Sequence, residues 1–229
     1  LVHAMIGRDT PRAGQVDPEP AAPAAPPRPA PALHDEVLQI DGLSVEDEHG
    51  RKRLDNFTLV VNRGEIVGVA GVEGNGQSEL AAVLAGMRAP SAGRWFLKRE
   101  PLTGSAPGHI TAAGVGIVPE DRHAVGCITG LPVADNLFLN RQAQFTRWGV
   151  VDRKAMRAAA RGLMQRFDVR AAGEDVTFAG LSGGNQQKAM LARELTLPNL
   201  ELLVAAQPTR GLDVGAVDAV YGHIRAARD

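Results

Sequence analysis

Cysteine and aromatic residues are scarce in this chain of 229 residues, and neither sign of charge dominates. The single cysteine, Cys127, excludes an internal disulfide and is typical of a reducing compartment. Lys and Arg number 25 and Asp and Glu number 26, which argues against a nucleic-acid-binding protein held by bulk charge. No apolar run approaches the roughly 20 residues of a membrane-spanning helix. Apolar residues still make up 44% of the chain, enough for a sizeable core.

Proline is concentrated near the start of the chain, where residues 11–33 hold 8 of the 15 prolines. Alternating Pro and Ala predict an extended, semi-rigid linker over residues 10–36, with a disordered tail as the alternative. Residues 1–9 are apolar enough to be the end of a preceding domain. The chain starts without Met and stops inside an apparent helix, so we expect a fragment of a longer protein, with a globular domain over 37–229.

The hydrophobic pattern of the globular part alternates between strands and helices. Strands are predicted at 37–45, with a turn or kink at Asp41-Gly42, and at 57–61, 95–98 and 115–119. Continuous apolar runs predict buried strands at 65–70 and 201–206. Helical spacing is found at 78–87, through most of 129–175 and at 214–229. This order predicts a parallel α/β core with a helical insertion.

A glycine-rich stretch, GVEGNGQSE at 71–79, lies between a predicted buried strand and a predicted helix. Gly71, Gly76 and Ser78 match the phosphate-loop pattern G-x-x-x-x-G-K-[ST], but Gln77 replaces its lysine. Glycines let backbone amides turn toward an anion, and the helix start adds positive charge. We predict an ATP site with Ser78 as a weak Mg²⁺ ligand; a glycine-rich turn without a ligand is the alternative. The predicted ATP-binding residues are Gly71, Gly74, Asn75, Gly76, Gln77, Ser78 and Glu79.

A second motif, LSGGNQQK at 181–188, places a hydroxyl and bare amides at the start of another predicted helix. This octet resembles the signature motif of ABC-transporter ATPase domains, with a glycine-rich helix start as the alternative. In that family the signature completes a nucleotide site built on a partner domain. The resemblance therefore assigns to the partner site Leu181, Ser182, Gly183, Gly184, Asn185, Gln186 and Gln187.

The stretch ELLVAAQPTRGLDVGA at 201–216 resembles the family's Walker B strand and D-loop, with Asp213 as the D-loop aspartate. The family strand ends Asp-Glu-Pro-Thr, whereas Ala206 and Gln207 replace the aspartate that supports magnesium and the glutamate that activates water. Glu120, in VPEDR, takes the place of the Q-loop glutamine. Because no catalytic group is intact at Gln77, Ala206 or Gln207, we expect negligible hydrolysis by this domain's own loop.

Together these motifs resemble the second, C-terminal ATP-binding domain of tandem ABC importer ATPases that serve simple-sugar and nucleoside uptake in bacteria. The resemblance implies an α/β, ABC-type P-loop NTPase core with an N-terminal antiparallel β subdomain and an inserted α-helical subdomain at about 121–180, truncated at the C-terminus. It implies ATP and Mg²⁺ as cofactors and a place on the cytoplasmic face of the cell membrane. The implied partners are a preceding ATPase domain of the same chain, integral-membrane permease subunits and, indirectly, an extracytoplasmic substrate-binding protein, but no nucleic acid.

The resemblance thus implies a subunit that couples ATP binding and hydrolysis to import of a nucleoside or simple sugar. One alternative is a nucleotide-binding pseudo-ATPase module without turnover; another is a soluble ABC protein acting on ribosomes or DNA. His49 is the candidate for stacking on adenine, although a solvated loop is the default at that position. We expect Trp95 and Trp148 to be packing residues and Cys127 to be inert.

Overall fold

The structure, a computed structural model, describes residues 35–72 and 74–228, which belong to one compact unit. The predicted end of a preceding domain (1–9) and nearly all of the predicted linker (10–36) lie outside the described residues. In the described part of the chain, no helix is both long and apolar enough to cross a membrane.

An antiparallel sheet of four strands forms the first layer, in the order β2-β1-β3-β4. Its pairing shifts register between Ile40 and Leu43, and Gly42 between them has a φ of +58°, which confirms the predicted kink. Trp95, as predicted, is a packing residue and is fully buried in this sheet's core with Ile40 and Leu43. The strands are β1 (Glu36–Glu46), β2 (Lys52–Asn62), β3 (Ala92–Leu97) and β4 (Glu100–Pro101).

A parallel pair of strands, β5 (Val115–Val118) and β8 (Leu202–Ala205), confirms the predicted α/β core. Val118 of β5 packs with Leu191 and Val220, which lie on two of the surrounding helices. The helices of this part are α1 (Gln77–Leu84), α2 (Pro107–Ala112), α5 (Gly183–Leu195) and α6 (Val214–Arg228).

Between β5 and α5 the chain builds a separate hydrophobic core from short elements, in which Leu137, Met156 and Phe178 are buried. The first helix in the stretch 129–175, predicted to be mostly helical, covers only Val133–Leu137, and a two-stranded hairpin interrupts the stretch. Trp148 at this hairpin's tip is 101% exposed, so the prediction that it packs in a core is wrong. The elements are a π-helix (Arg122–Gly126), α3 (Val133–Leu137), a 3-10 helix (Gln142–Phe145), β6 (Thr146–Arg147), β7 (Val150–Val151), α4 (Arg153–Arg166) and a second 3-10 helix (Phe178–Gly180).

The buried strand predicted at 65–70 is wrong. These residues pair with no strand among those described, and Ile66, Val67 and Val69 are 52%, 38% and 49% exposed. The residues of β8, also predicted to be buried, are only half-buried, and β8 pairs with β5 alone in the described sheets. An apolar run is buried only where neighbouring elements cover it, and here an open groove of about 960 Å³ separates residues 65–70 from β8.

Candidate functional site

The glycine loop leads directly into α1, as the sequence predicts. Gly74 and Gly76 have φ values of +88° and +99°, which favour glycine, and Gly76 is the N-cap of the helix. Asn75 donates a backbone hydrogen bond to the Val72 carbonyl (3.2 Å), which closes the turn. Glu79 lies in the first turn of α1, next to Ser78.

Gln77 does not reach outward as a lysine at this position would in a phosphate loop. Its amide nitrogen donates to the carbonyl of Val72 at 3.4 Å and lies 2.1 Å from where a Cβ on Gly71 would be. Gly71 therefore makes room for the folded-back Gln77 side chain. The group at the position of the pattern's lysine is thus a neutral amide that donates a hydrogen bond within the loop.

Glu120 is the centre of the site, because its carboxylate joins the glycine loop to the end of β8. Its Oε2 accepts a hydrogen bond from the Ser78 hydroxyl (2.9 Å). Its Oε1 accepts from the Gln207 amide (2.8 Å) and from the Arg210 guanidinium (3.0 Å), which forms an ion pair with it. The groove described above opens onto Gly71, Ser78, Glu120 and Gln207, so these groups share one solvent-accessible space.

The end of β8 carries no acidic side chain at the two positions where the resembled motif has them. Ala206 donates its backbone N–H to the Val118 carbonyl (2.9 Å), which continues the pairing of β5 and β8. Gln207 has a φ of +48°, an uncommon conformation for a residue other than glycine. Its amide nitrogen donates a hydrogen bond to Glu120, and a neutral amide cannot act as a base that takes a proton from water.

The signature octet lies at the start of α5, where Ser182 is the N-cap and accepts a hydrogen bond from the Asn185 backbone (3.4 Å). Ser182 is exposed, and Gly183 and Gly184 are half-buried. The side chains of Leu181, Gln186 and Gln187 are buried. The structure thus divides the predicted signature residues into an outward-facing group and an inward-facing one.

Three contacts of this region were not anticipated by sequence reasoning. The Arg122 guanidinium lies against Gly183, 2.8 Å from where a Cβ would be, and His123 Nε2 lies 2.9 Å from Gln186 Oε1. The third is the ion pair of Arg210 with Glu120. Residues 120–123 therefore contact the glycine loop at one end and the signature helix at the other. No sequence spacing signals these contacts, since they join residues 61 to 90 positions apart.

Two further predicted site residues occupy well-defined positions. Asp213 precedes α6 and accepts a hydrogen bond from the Ala216 backbone (2.9 Å), so its carboxylate caps that helix. His49 is exposed in the turn between β1 and β2, where its backbone N–H donates to Asp47 (2.9 Å). Within residues 35–72 and 74–228 there is no cluster of three or more His, Cys, Asp or Glu side chains that could hold a metal.

Some known proteins are similar to this chain in sequence, and others are similar in fold. The nucleoside import ATP-binding protein NupA of Lactococcus lactis is 43% identical over 85% of the chain, and the guanosine import ATP-binding protein NupO of Bacillus subtilis is 42% identical over 85%. The chain spans only 39% and 38% of those two proteins. The dimeric ATP-binding cassette MJ0796 bound to ADP and phosphate superposes with a TM-score of 0.71 at 20% identity, covering 84% of this chain and 83% of that one.

The sequence model of one family covers more than half of the chain. It is the model described as ABC transporter, and it matches residues 54–209, from β2 through the glycine loop and the signature octet to the residues after β8. The matching fold, the two motifs and the relatives agree. The chain belongs to the ABC transporter family.

Proposed function

We propose that this chain is the second ATP-binding domain of a tandem ABC importer ATPase, with an intact signature for a partner's nucleotide and a degenerate nucleotide loop of its own. It acts on the cytoplasmic face of the membrane, beside a preceding ATPase domain and permease subunits served by an extracytoplasmic binding protein. The substrate class is a nucleoside or simple sugar, and the names of the two import proteins favour the nucleoside. The observation that carries the proposal is a difference between two motifs. The signature at 181–188 keeps its hydroxyl and glycines, whereas the glycine loop at 71–79 has Gln77 in place of its lysine.

The signature side is built to contact a phosphate. Ser182, Gly183 and Gly184 combine a hydroxyl and backbone amides at the positive end of a 13-residue helix, and none of the three is fully buried. Across a dimer interface these groups would contact the γ-phosphate of a nucleotide held by the preceding domain. Gln186 donates to the Phe178 and Leu181 carbonyls (3.2 and 3.3 Å) and so fixes the loop that presents Ser182.

The chain's own loop has lost the groups that would stabilise the transferred phosphoryl group. Gln77 is bonded to Val72, Gln207 is a donor, and Ala206 has no side-chain oxygen. Absence of a positioned base costs about 10²–10⁴ in rate, and absence of a donor at the developing charge about 10²–10³. The expected result is nucleotide binding without turnover at this loop, and the alternative function, a pseudo-ATPase module, is supported by the same residues.

Magnesium fits two oxygens of this site. The Ser78 hydroxyl and Glu120 Oε2, which are 2.9 Å apart, would hold the ion, because Mg²⁺ prefers oxygen ligands and a carboxylate. When bound, Mg²⁺ would offset the charge of the nucleotide phosphates. Glu120→Gln is expected to weaken the Mg²⁺-dependent part of ATP affinity, measured by titration calorimetry with and without Mg²⁺. Glu100→Gln, the same chemical change on the exposed strand β4, is the control.

The test of the asymmetric mechanism uses calorimetry with ATP and phosphate release. Gln77→Lys should strengthen ATP binding to the 229-residue chain without creating turnover, because no base is restored; turnover by this single variant would refute the mechanism. In the full-length protein, Ser182→Ala should abolish most hydrolysis. Asp152→Ala removes an equivalent helix cap from α4 and should leave hydrolysis unchanged. Equal loss of hydrolysis in both variants would contradict a role for Ser182 at the nucleotide.

A further inference from the structure

The hairpin of β6 and β7 exposes a tryptophan at its tip in an unusual backbone conformation. Trp148 is 101% exposed, has a φ of +52° and is followed by Gly149 with a φ of +78°. Bulky residues rarely adopt this left-handed conformation, and large apolar side chains gain nothing from full exposure to water. No contact within the described fold accounts for this placement, which makes it a reason to ask what the tip binds.

The surroundings of Trp148 are apolar and basic. Val150 is 71% exposed and pairs directly with Arg147, so both side chains lie on one face of the hairpin. Arg153 and Lys154 follow at the start of α4, where Arg153 forms an ion pair with Asp135. Among the residues that the structure describes, Arg147 and Lys154 form no ion pair. We call Arg147, Trp148, Val150, Arg153 and Lys154 the tip patch.

The base of the hairpin is firmly anchored, so the tip patch has a defined position on its subdomain. The backbone of Asp152 donates to the Phe145 carbonyl (2.8 Å), and its side chain caps α4. The Phe145 ring contacts the ring of Phe138 edge-on at a centroid distance of 4.7 Å. The Thr146 hydroxyl donates to the Gln142 carbonyl (3.0 Å). A tip fixed in this way is presented outward.

We propose that the tip patch docks onto a phospholipid surface that carries anionic headgroups. Tryptophan is favoured at the boundary of lipid and water, and basic side chains are attracted by anionic lipids. A stable protein interface needs about 800 Å² and 20–30 residues from each partner, whereas only two apolar side chains are exposed here, on a convex tip. A fluid lipid surface accepts such a tip without a matching pocket. This inference rests on the proposed function in one respect, which is that the protein lies beside a membrane.

Tryptophan fluorescence reports directly on the tip patch, because the chain has 2 tryptophans and the other, Trp95, is fully buried. Vesicles of phosphatidylcholine with phosphatidylglycerol should shift the Trp148 emission to shorter wavelength and cosediment with the 229-residue protein, whereas pure phosphatidylcholine should not. Trp148→Ala should weaken partitioning about tenfold, and Trp148→Tyr much less. Arg147→Ser and Lys154→Ser should each weaken it about fivefold, and Arg51→Ser, an exposed control between β1 and β2, should not.

Three outcomes would overturn the proposal. The first is an unchanged emission with every lipid mixture. The second is vesicle binding that survives Trp148→Ala together with Arg147→Ser, which would assign attachment to another surface, such as the exposed apolar residues 66–72. The third is a shift with bacterial membranes that protease treatment abolishes and that pure lipid does not reproduce, which would identify a protein partner. Vesicle binding requires no nucleotide, so its failure and a failure of ATP binding are distinguishable.

Discussion

A methyl group added at Gly76 is expected to destabilise the protein more than the same group added at Gly74. Both glycines have φ values, +99° and +88°, that an alanine adopts at a cost of about 1–3 kcal/mol. A Cβ at Gly74 would meet nothing within 4 Å, whereas one at Gly76 would lie 2.4 Å from the Arg53 carbonyl oxygen and 3.2 Å from a methyl group of Leu54. Moving this backbone away adds about 1–3 kcal/mol.

The two variants therefore form a matched pair. Both carry the conformational cost of a positive φ, but only Gly76→Ala brings a methyl group against the backbone of β2. Urea unfolding followed by circular dichroism should give Gly76→Ala a free energy of unfolding about 1–3 kcal/mol below that of Gly74→Ala, at an unchanged slope with urea. Equal stabilities of the two variants would show that the glycine loop is not packed against β2 in solution. The reasoning from backbone contact would then fail.

Three further outcomes follow from burial and charge. Because Val69 is exposed, Val69→Asn should change the free energy of unfolding by less than about 0.5 kcal/mol, whereas Leu43→Ala, at a buried position, should lower it by about 2–5 kcal/mol. A large effect of Val69→Asn in urea titrations would mean that residues 65–70 are covered in solution. Lys188 and Arg170 lower the pKa of Asp168 from 3.8 to about 2, so the stabilisation by its carboxylate is present above pH ~4 and is lost as the pH falls towards 2. Asp168→Asn should therefore make the melting temperature depend less on pH between about 4 and 2. The same pH dependence in the variant and the original protein would contradict the ion pairs. Burial raises the pKa of the Cys127 thiol, so its reaction with a disulfide reagent at pH 8 should be slow until the protein is unfolded, and equal rates in both states would show that the thiol is accessible.

The sequence predicted those parts of the fold that depend on local chemistry. The run 37–45 has the pattern of a strand, and Gly42 within it marks the register shift that the structure contains. The helix after the glycine loop and the helix 214–229 begin where their spacing predicts, because glycines and caps act over a few residues. Ser182 at the N-cap of α5 belongs to the same class, since its hydrogen bond spans three residues.

The predictions that failed depended on neighbours distant in the chain. The apolar residues at 65–70 predict a buried strand, but they can be buried only if another strand lies beside them, and none is described there. Trp148 was expected in a core because large aromatic side chains usually are buried, yet a tight turn with positive φ values places it at the tip of the hairpin.

By itself, the sequence determined the chemistry of the site: which residues carry hydroxyls and bare amides, and that Gln77, Ala206 and Gln207 lack the charges of an active loop. Tertiary structure alone decided that Glu120 receives hydrogen bonds from Ser78, Gln207 and Arg210, and that Arg122 lies on Gly183. The physical reason is the distance along the chain over which each interaction acts. Side-chain type and helix capping are fixed within a few residues, whereas a carboxylate acquires donors 42 to 90 positions away only after the chain has folded.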